Sequence, residues 1–268
     1  MFMTIAILGA GRLGEALLSG MLRSGHDPAD LFVTARRPER ARELSARHGV
    51  EAVSNPAAPT RADVLILTVK PQDMTALVGE IAGVVTPDHL VISVAAGVTT
   101  AFLEHRLAAG TPVVRVMTNT PVLVDEAMSA ISAGAHAGEE HLRRTEKLLA
   151  PVGKVVRVPE AQQDAVTALS GSGPAYFFYL VESMIDAGIL LGIPRGVAAQ
   201  LLVQTAVGAA VMLRDSGEHP VLLREAVTSP GGTTITAIRE LEKHGVRAAL
   251  LAAIEAARDR SRELASPA

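Results

Sequence analysis

The chain has 268 residues, 49% of them hydrophobic, and a formal net charge of −3 with acidic and basic side chains interspersed. That apolar content builds real cores and excludes a disordered chain, while the weak mixed charge offers no field to recruit nucleic acid or an anionic membrane. Cysteine is absent, which excludes disulfides, thiolate catalysis and thiolate metal sites, and the histidines show no pair at metal-ligand spacing, His136 and His141 included.

No basic segment precedes the first apolar run, so no secretory signal is expected and a soluble cytoplasmic protein is the default. Thr4-Ile5-Ala6-Ile7-Leu8 reads as a buried strand. Gly9-Ala10-Gly11-Arg12-Leu13-Gly14 then reads as a turn into a helix, where Leu13, Ala16, Leu17 and Met21 recur at helical spacing. Gly9, Gly11 and Gly14 fit the dinucleotide-binding spacing Gly-x-Gly-x-x-Gly: the first allows a sharp turn, the second lets backbone touch a pyrophosphate, the third lets helix pack on strand. Unpaired amides at the helix start face the phosphates, aided by the helix dipole. A bland strand-to-helix turn has similar glycines, but the position directly after a first strand favours a nucleotide.

Leu31-Phe32-Val33-Thr34 is a second strand, followed by Ala35-Arg36-Arg37 and a helix over about 38–48. An NAD-preferring site usually carries Asp or Glu at this strand's end, and here Thr34 stands there with two arginines just beyond. Arginine near a helix N-terminus opposes the dipole by roughly 0.3–1 kcal/mol. A 2′-phosphate held by charge-assisted hydrogen bonds would explain the pair. The alternative is a solvated face on which Glu39 and Glu43 pair with Arg36, Arg37, Arg40 and Arg42. The reading favours NADPH, with NADH possible.

Residues 50–53 are a short third strand, and Ser54-Asn55-Pro56 begins a brief helix. Residues 64–69 are apolar on both faces, as a central parallel strand should be, and end at Lys70-Pro71. Ligands of open parallel sheets gather outside that edge, which makes Lys70 a candidate contact. The strand over 90–94 ends in Ala95-Ala96-Gly97, small residues that let a planar ring approach. A helix from Thr99, a strand over 112–117, Thr118-Asn119-Thr120-Pro121, and strands over 127–133 and 154–158 around a helix over 139–149 complete the alternation. The expectation is an α/β fold, a Rossmann-type doubly wound sheet over 1–159.

From 160 to 268 only helices are expected. Those over 174–191 and 194–214 are apolar nearly all round, and a domain of about a hundred residues cannot cover them internally, so an obligate homodimer built on these helices is expected. The run over 197–213 is interrupted by Gln200 and Gln204 and is too short to favour a bilayer span; Glu182 and Asp186 read as a polar edge. Two loops stand out: Ser170-Gly171-Ser172-Gly173-Pro174 and Thr228-Ser229-Pro230-Gly231-Gly232-Thr233-Thr234. The second exposes several amides just before a helix, a cradle for a carboxylate or phosphate beyond what an N-cap alone requires.

These residues carry a resemblance. Gly-Ala-Gly-Arg-Leu-Gly at 9–14, Val-Lys-Pro-Gln at 69–72, Asn-Thr-Pro at 119–121, Ser-Gly-Ser-Gly-Pro-Ala-Tyr at 170–176 and Ser-Pro-Gly-Gly-Thr-Thr at 229–234 resemble the pyrroline-5-carboxylate reductase family, in the right order along essentially the whole chain. The resemblance implies reduction of 1-pyrroline-5-carboxylate to L-proline with NAD(P)H, by a Rossmann domain and a helical dimerisation domain whose dimers often form decamers. It further implies that Thr234 bonds the ring nitrogen, that amides of Gly232, Thr233 and Thr234 hold the carboxylate with Ser229 and Gly231 in the same loop, and that Glu160 lies near the substrate. It matches Asn55, Thr68, Lys70 and Pro71 to cofactor contacts, and it leaves Asn119 beside them. Two residues depart from the pattern: Thr118 stands where proline usually precedes Asn-Thr-Pro, and Ala226 where some members carry an asparagine that reaches the cofactor.

The chemistry agrees. Ketone reduction leaves an alkoxide and calls for a Lys or His acid, but there is no lysine between Lys154 and Lys243. A protonated imine brings its own charge, so a neutral hydroxyl such as Thr234 suffices. This disfavours a β-hydroxyacid dehydrogenase of similar layout. A non-catalytic NADP-binding sensor would leave the hydroxyl-rich cradle unexplained.

Overall fold

The protein is described from a computed structural model that covers residues 3–265. One sheet of eight strands is formed by β1 (Ile5–Leu8), β2 (Leu31–Val33), β3 (Glu51–Ala52), β4 (Val64–Leu67), β5 (Leu90–Ser93), β6 (Val113–Met117), β7 (Ala127–Ala133) and β8 (Gly153–Arg157), in the order β3-β2-β1-β4-β5-β6-β7-β8. Pairing is parallel except at β6 and β7. The antiparallel step follows from the short connection after β6, a 3-10 turn over Thr120–Val124 and a left-handed Asp125, which leaves no room for a crossover helix.

Helices α1 (Arg12–Arg23), α2 (Pro38–His48), α4 (Thr100–Glu104) and α5 (Glu139–Leu149) fall where the sequence places helices, and a further one, α3 (Met74–Ile81), which sequence reasoning missed, lies between α2 and α4 in the chain. The brief helix expected near Asn55 is a 3-10 turn over Ala58–Thr60. Alternate strand residues face opposite layers, which is why the strands read as continuous apolar runs. Ile5, Ile7, Val64, Ile66 and Ile92 pack with Leu17 and Met21 of α1 and Leu148 of α5. Ala6, Leu8, Leu65, Leu67 and Val91 pack with Met74 and Ile81 of α3 and Leu103 of α4. Strand order reverses between β1 and β4, so the crevice beyond their C-terminal ends is where an open α/β sheet takes a ligand.

Two compact units divide the chain. The first runs to Ser172 and regains the chain from Ala257 onward; the second is Gly173–Ala256. Sequence reasoning expects the boundary between 159 and 160, where strands give way to helices. Side-chain bonds carry the first unit further. Glu160 accepts from Thr100 N (2.8 Å), Thr100 Oγ1 (2.5 Å) and the buried Arg115 Nη1 (3.3 Å). In α6 (Gln163–Val166), Gln163 Nε2 donates to Ala130 O (3.2 Å) and Ser132 Oγ (2.8 Å) of β7. Asp164 Oδ1 accepts from Ser261 Oγ (2.8 Å), which returns the chain's last helical turns to this unit. Ser170-Gly171, expected in a loop, close a π-helical turn over Thr167–Gly171, and a Cβ on Gly171 would collide with Met117 Cε of β6.

The second unit contains α7 (Gly173–Leu190), α8 (Arg195–Ser216), α9 (Pro220–Ala226), α10 (Thr233–Lys243) and the start of α11 (Val246–Ala265). Gly188 of α7 lies close enough to Ala198 of α8 that a Cβ would sit 3.0 Å from it, and Arg195 Nη2 donates to Asp186 Oδ1 (2.9 Å). Much of the rest of these helices is bare: Phe177 and Phe178 are 68% exposed and Leu190 88%, with Leu201, Val203, Val207 and Met212 also open. Among the described residues, α8 is the one helix long and apolar enough to cross a membrane by length and composition.

Candidate active site

The turn after β1 is a tight piece of packing. Gly9 has φ +84°, and a Cβ there would strike Val69 Cγ1, so only glycine holds the bend. A Cβ on Gly14 would lie 2.8 Å from Thr68 Oγ1 and 3.1 Å from Ile7 Cγ2, so glycine lets α1 press against β1 and β4. Two hydroxyls lock the bend. Thr34 Oγ1 accepts from Gly9 N (3.0 Å), and Thr68 Oγ1 donates toward Leu8 O and Gly9 O (both 3.0 Å). Ala10 N donates to Thr34 O (2.8 Å).

These contacts open a cleft of about 960 Å³ in the first unit. At its floor α1 begins at an N-cap, Gly11, with no side-chain cap, so the first-turn amides of Arg12, Leu13 and Gly14 have no acceptor outside the helix among the described residues. A Cβ on Gly11 would meet only Gly9 O, at 3.8 Å, so the approach to those amides is open. Of the residues singled out from sequence, Gly9, Ala10, Gly11, Arg12, Thr34, Arg36, Arg37, Asn55, Thr68 and Lys70 line the cleft. Leu13 packs against the core and Gly14 lies beneath the helix. Pro71 opens the 3-10 turn Pro71–Asp73 beyond β4, and Ala95, Ala96, Gly97 and Asn119 follow β5 and β6 further along the same sheet edge, outside the cleft lining. Asn119 is engaged as a clamp: Nδ2 donates to Ser170 O (3.2 Å) and Oδ1 accepts from Met128 N (3.0 Å). Asn55 Nδ2 donates to Glu80 Oε2 (2.9 Å).

Charge in the cleft is unevenly satisfied. Glu43 pairs with Arg40 (3.0 Å) and Arg47 (2.6 Å), and Glu39 pairs with Arg42 (3.6 Å). Neither Arg36 nor Arg37 has an ion-pair partner among the described residues, so the solvated-face alternative accounts for Arg40 and Arg42 and leaves this pair unexplained. Glu15, in the first turn of α1, is the hub that sequence reasoning missed: it bonds Arg40, Arg47 Nη1 (2.6 Å) and His48 Nε2 (3.1 Å). Burial by itself would raise the Glu15 pKa, but the bonds from Arg40, His48 and Arg47 outweigh it and hold it at about 2. No sequence period links positions 15, 40, 47 and 48; only the parallel pairing of β1 with β2 brings α1 beside α2.

In the second unit, the segment Ser229–Thr234 leads into α10. Gly231 has φ +67°, Gly232 N donates to Ser229 O (3.1 Å), and Gly232 is the N-cap without a side-chain cap. The Gly232 amide, expected to hold a carboxylate, is therefore closed on its own turn. The first-turn amides of Thr233 and Thr234 have no acceptor outside the helix among the described residues, and Thr234 is partly covered. Glu160, expected near substrate, gives its carboxylate to Thr100 and Arg115 and anchors the start of α6 to the sheet. At the departure Thr118, the hydroxyl accepts from buried Ser129 Oγ (2.9 Å), satisfying a polar group that proline would leave unpaired. No group of three or more potential metal ligands occurs among the described residues.

A doubly wound sheet with an uncapped glycine turn at its switch point, followed by an apolar helical unit, defines a dinucleotide-binding oxidoreductase. Residues 4–97 match the family model described as NADP oxidoreductase coenzyme F420-dependent, and residues 160–264 match pyrroline-5-carboxylate reductase dimerisation. The chain is 44% identical over 265 residues to pyrroline-5-carboxylate reductase of Corynebacterium melassecola, covering 97% of this chain and 98% of that one. The solved structure of a Coxiella burnetii pyrroline-5-carboxylate reductase superposes with a TM-score of 0.94 at 34% identity over 100% of both chains. That of Plasmodium falciparum pyrroline carboxylate reductase with NADP bound gives 0.88 at 26% identity over 98% of both. The chain belongs to the pyrroline-5-carboxylate reductase family.

The depressed Glu15 pKa has a measurable consequence. Because the folded-state value lies below the ordinary 4.5, its stabilisation is full above pH 4.5 and is lost as pH falls toward 2. Glu15→Gln is expected to lower stability at pH 7 by about 2 kcal/mol, with the gap to wild type closing between roughly pH 4.5 and 2 in urea titrations. A gap independent of pH would assign the loss to packing.

Proposed function

We propose that this protein reduces 1-pyrroline-5-carboxylate to L-proline, the last step of proline biosynthesis, with NADPH as preferred donor and NADH as a usable one, in the cytoplasm. The observation that carries the reading is the pair of uncapped helix starts: α1 below a cleft lined by Arg36 and Arg37, which have no ion-pair partner among the described residues, and α10 behind a Ser-Pro-Gly-Gly turn. The residues present fit a dinucleotide phosphate. The amides of Arg12, Leu13 and Gly14 suit a pyrophosphate, and Arg36 with Arg37 suits a 2′-phosphate. In this reading Asn55, Lys70, Pro71, Ala95, Ala96, Gly97 and Asn119 complete the cofactor side, Asn119 through its clamp on Ser170. When bound, the nicotinamide supplies the hydride.

The amides of Thr233 and Thr234 hold the substrate carboxylate, in a turn shaped by Ser229, Gly231 and Gly232, and the Thr234 hydroxyl orients the ring nitrogen. The substrate enters as a protonated imine. Hydride adds to carbon, the π pair moves to nitrogen and the positive charge disappears, so no side chain has to deliver a proton to a developing anion. The absence of lysine between 154 and 243 is compatible with this chemistry and not with ketone reduction assisted by a lysine in the helical half. Orientation is the protein's main task, since reacting carbons held within about 3–3.5 Å supply much of the acceleration.

We further propose that a second copy of this chain covers the bare apolar faces of α7 and α8, forming a homodimer that can build into a decamer. The support is their extent together with the dimerisation family matched over residues 160–264. Covering them also accounts for a membrane-length apolar helix without a membrane.

Three measurements test this reading. NADPH absorbance should fall on adding pyrroline-5-carboxylate, with proline formed; Thr234→Ala should lower kcat by about tenfold or more while the Kd for NADPH stays within about twofold. Full retention of turnover would remove Thr234 from the mechanism. Replacing Arg36 and Arg37 together by Ala should raise KM for NADPH by roughly tenfold or more and KM for NADH little; equal changes defeat the 2′-phosphate assignment. Leu201→Arg with Val207→Arg on α8 should produce a smaller species in sedimentation, whereas an unchanged mass would place the interface elsewhere.

A further inference from the structure

Three arginines of the α2 region line the cleft, and they are not equivalent. Arg36 and Arg37 are exposed and without ion-pair partners among the described residues. Arg40, one turn into α2, has its side chain only 16% exposed and its donors engaged: Nη2 to Glu15, Nη1 to Glu43 Oε2 (3.0 Å) and Nε toward Ala10 O (3.4 Å). Three of its five N–H groups are committed, two of them to carboxylates, so its charge is already paired and its direction is set by the protein. Glu43 is 45% exposed and Glu15 only 19%, so the bond to Glu15 is the less screened of the two and is the one that holds Arg40 in place. Glu15 also reaches Arg47 and His48, so this polar hub joins α1 and α2 beside the apolar contact of Leu44, the one buried residue of α2, with the core. The low pKa of Glu15 keeps the hub charged throughout the neutral range.

We propose that Glu15 is a specificity-determining residue: by sequestering Arg40 it leaves free only two of the three guanidinium groups that the α2 region brings to the cleft, and so limits discrimination for the 2′-phosphate and keeps NADH usable. This rests on the reading that the cleft takes NADPH at Arg36 and Arg37. Sequence alone groups Arg40 with the other arginines; the bonds separate it from them.

The test compares kcat/KM for NADPH and NADH in the full-length enzyme, with direct binding of 2′,5′-ADP as a readout independent of turnover. Glu15→Gln frees Arg40 and should raise the NADPH to NADH ratio and tighten 2′,5′-ADP by roughly fivefold to tenfold, the worth of about one added charge-assisted hydrogen bond, with the gain shrinking at high salt. The change should lie in KM and not in kcat. Glu15→Gln combined with Arg40→Gln should return the ratio to within about twofold of wild type, because Arg40 is the group that acts. A ratio that falls or stays constant in Glu15→Gln, or a gain that survives in the double variant, overturns the proposal. If Glu15→Gln does not fold, Arg40→Gln alone decides: the ratio should hold within about twofold, and a fall of roughly tenfold would show Arg40 already serving the phosphate. The Arg36 and Arg37 double alanine variant separates the two ideas. If it too leaves the ratio untouched, the location of the 2′-phosphate is wrong; if it collapses the ratio while Glu15→Gln does nothing, only the sequestration is wrong.

Discussion

The first unit depends on how closely α1 approaches the sheet at the switch point. Gly14 sits where a methyl group would press on Thr68 and Ile7, and Gly9 bends the chain past Val69. The hydroxyls of Thr34 and Thr68 then tie the turn to β2 and β4. Because these residues use their polar groups on the turn itself, the uncapped amides of α1 stay available at the floor of the cleft. Thr34 and Thr68, read from sequence as cofactor contacts, are cleft-lining residues whose hydroxyls first of all shape the backbone.

The second unit follows from a different constraint. Helices α7 and α8 are apolar nearly all round, and within one chain they cover only part of each other. Residues 160–264, which include these helices, match a family model named for dimerisation. The charge balance along the chain is consistent with this division. Ion pairs crowd α1, α2 and α5, whereas the middle of α8, from Val197 to Leu213, carries no charged residue at all.

Within the first unit, short polar bonds add to the apolar packing. Glu160 bridges Thr100 and Arg115, Gln163 reaches two groups of β7, and Asn119 clamps the π-helical turn through Ser170. Buried polar groups of this kind are costly to leave unpaired, so each fixes one geometry, and together they draw residues 160–172 onto the sheet. This is also where the departure at Thr118 finds its compensation, in a hydrogen bond to Ser129.

The alternation of short apolar runs with helical periods marked the strands and the change to an all-helical second half; in β1, β2, β4, β5 and β6 burial of both sheet faces writes itself into the sequence as a mostly apolar run, whereas the edge strands β3 and β8 are largely exposed. The glycine spacing marked the turn that leads into an uncapped helix, and the apolar composition of α7 and α8 marked faces that stay exposed in one chain. The motifs Ser170–Tyr176 and Ser229–Thr234 marked the family. What the sequence left open were matters of partner choice among polar side chains. The bonds of Arg40 to Glu15 and of Glu160 to Thr100 form only once parallel strand pairing has brought α1 beside α2 and residues 160–172 onto the sheet. Hydrophobic burial leaves a local period that can be read along the chain. A hydrogen bond between residues tens of positions apart leaves none, and exists only once the backbone has brought its two ends together.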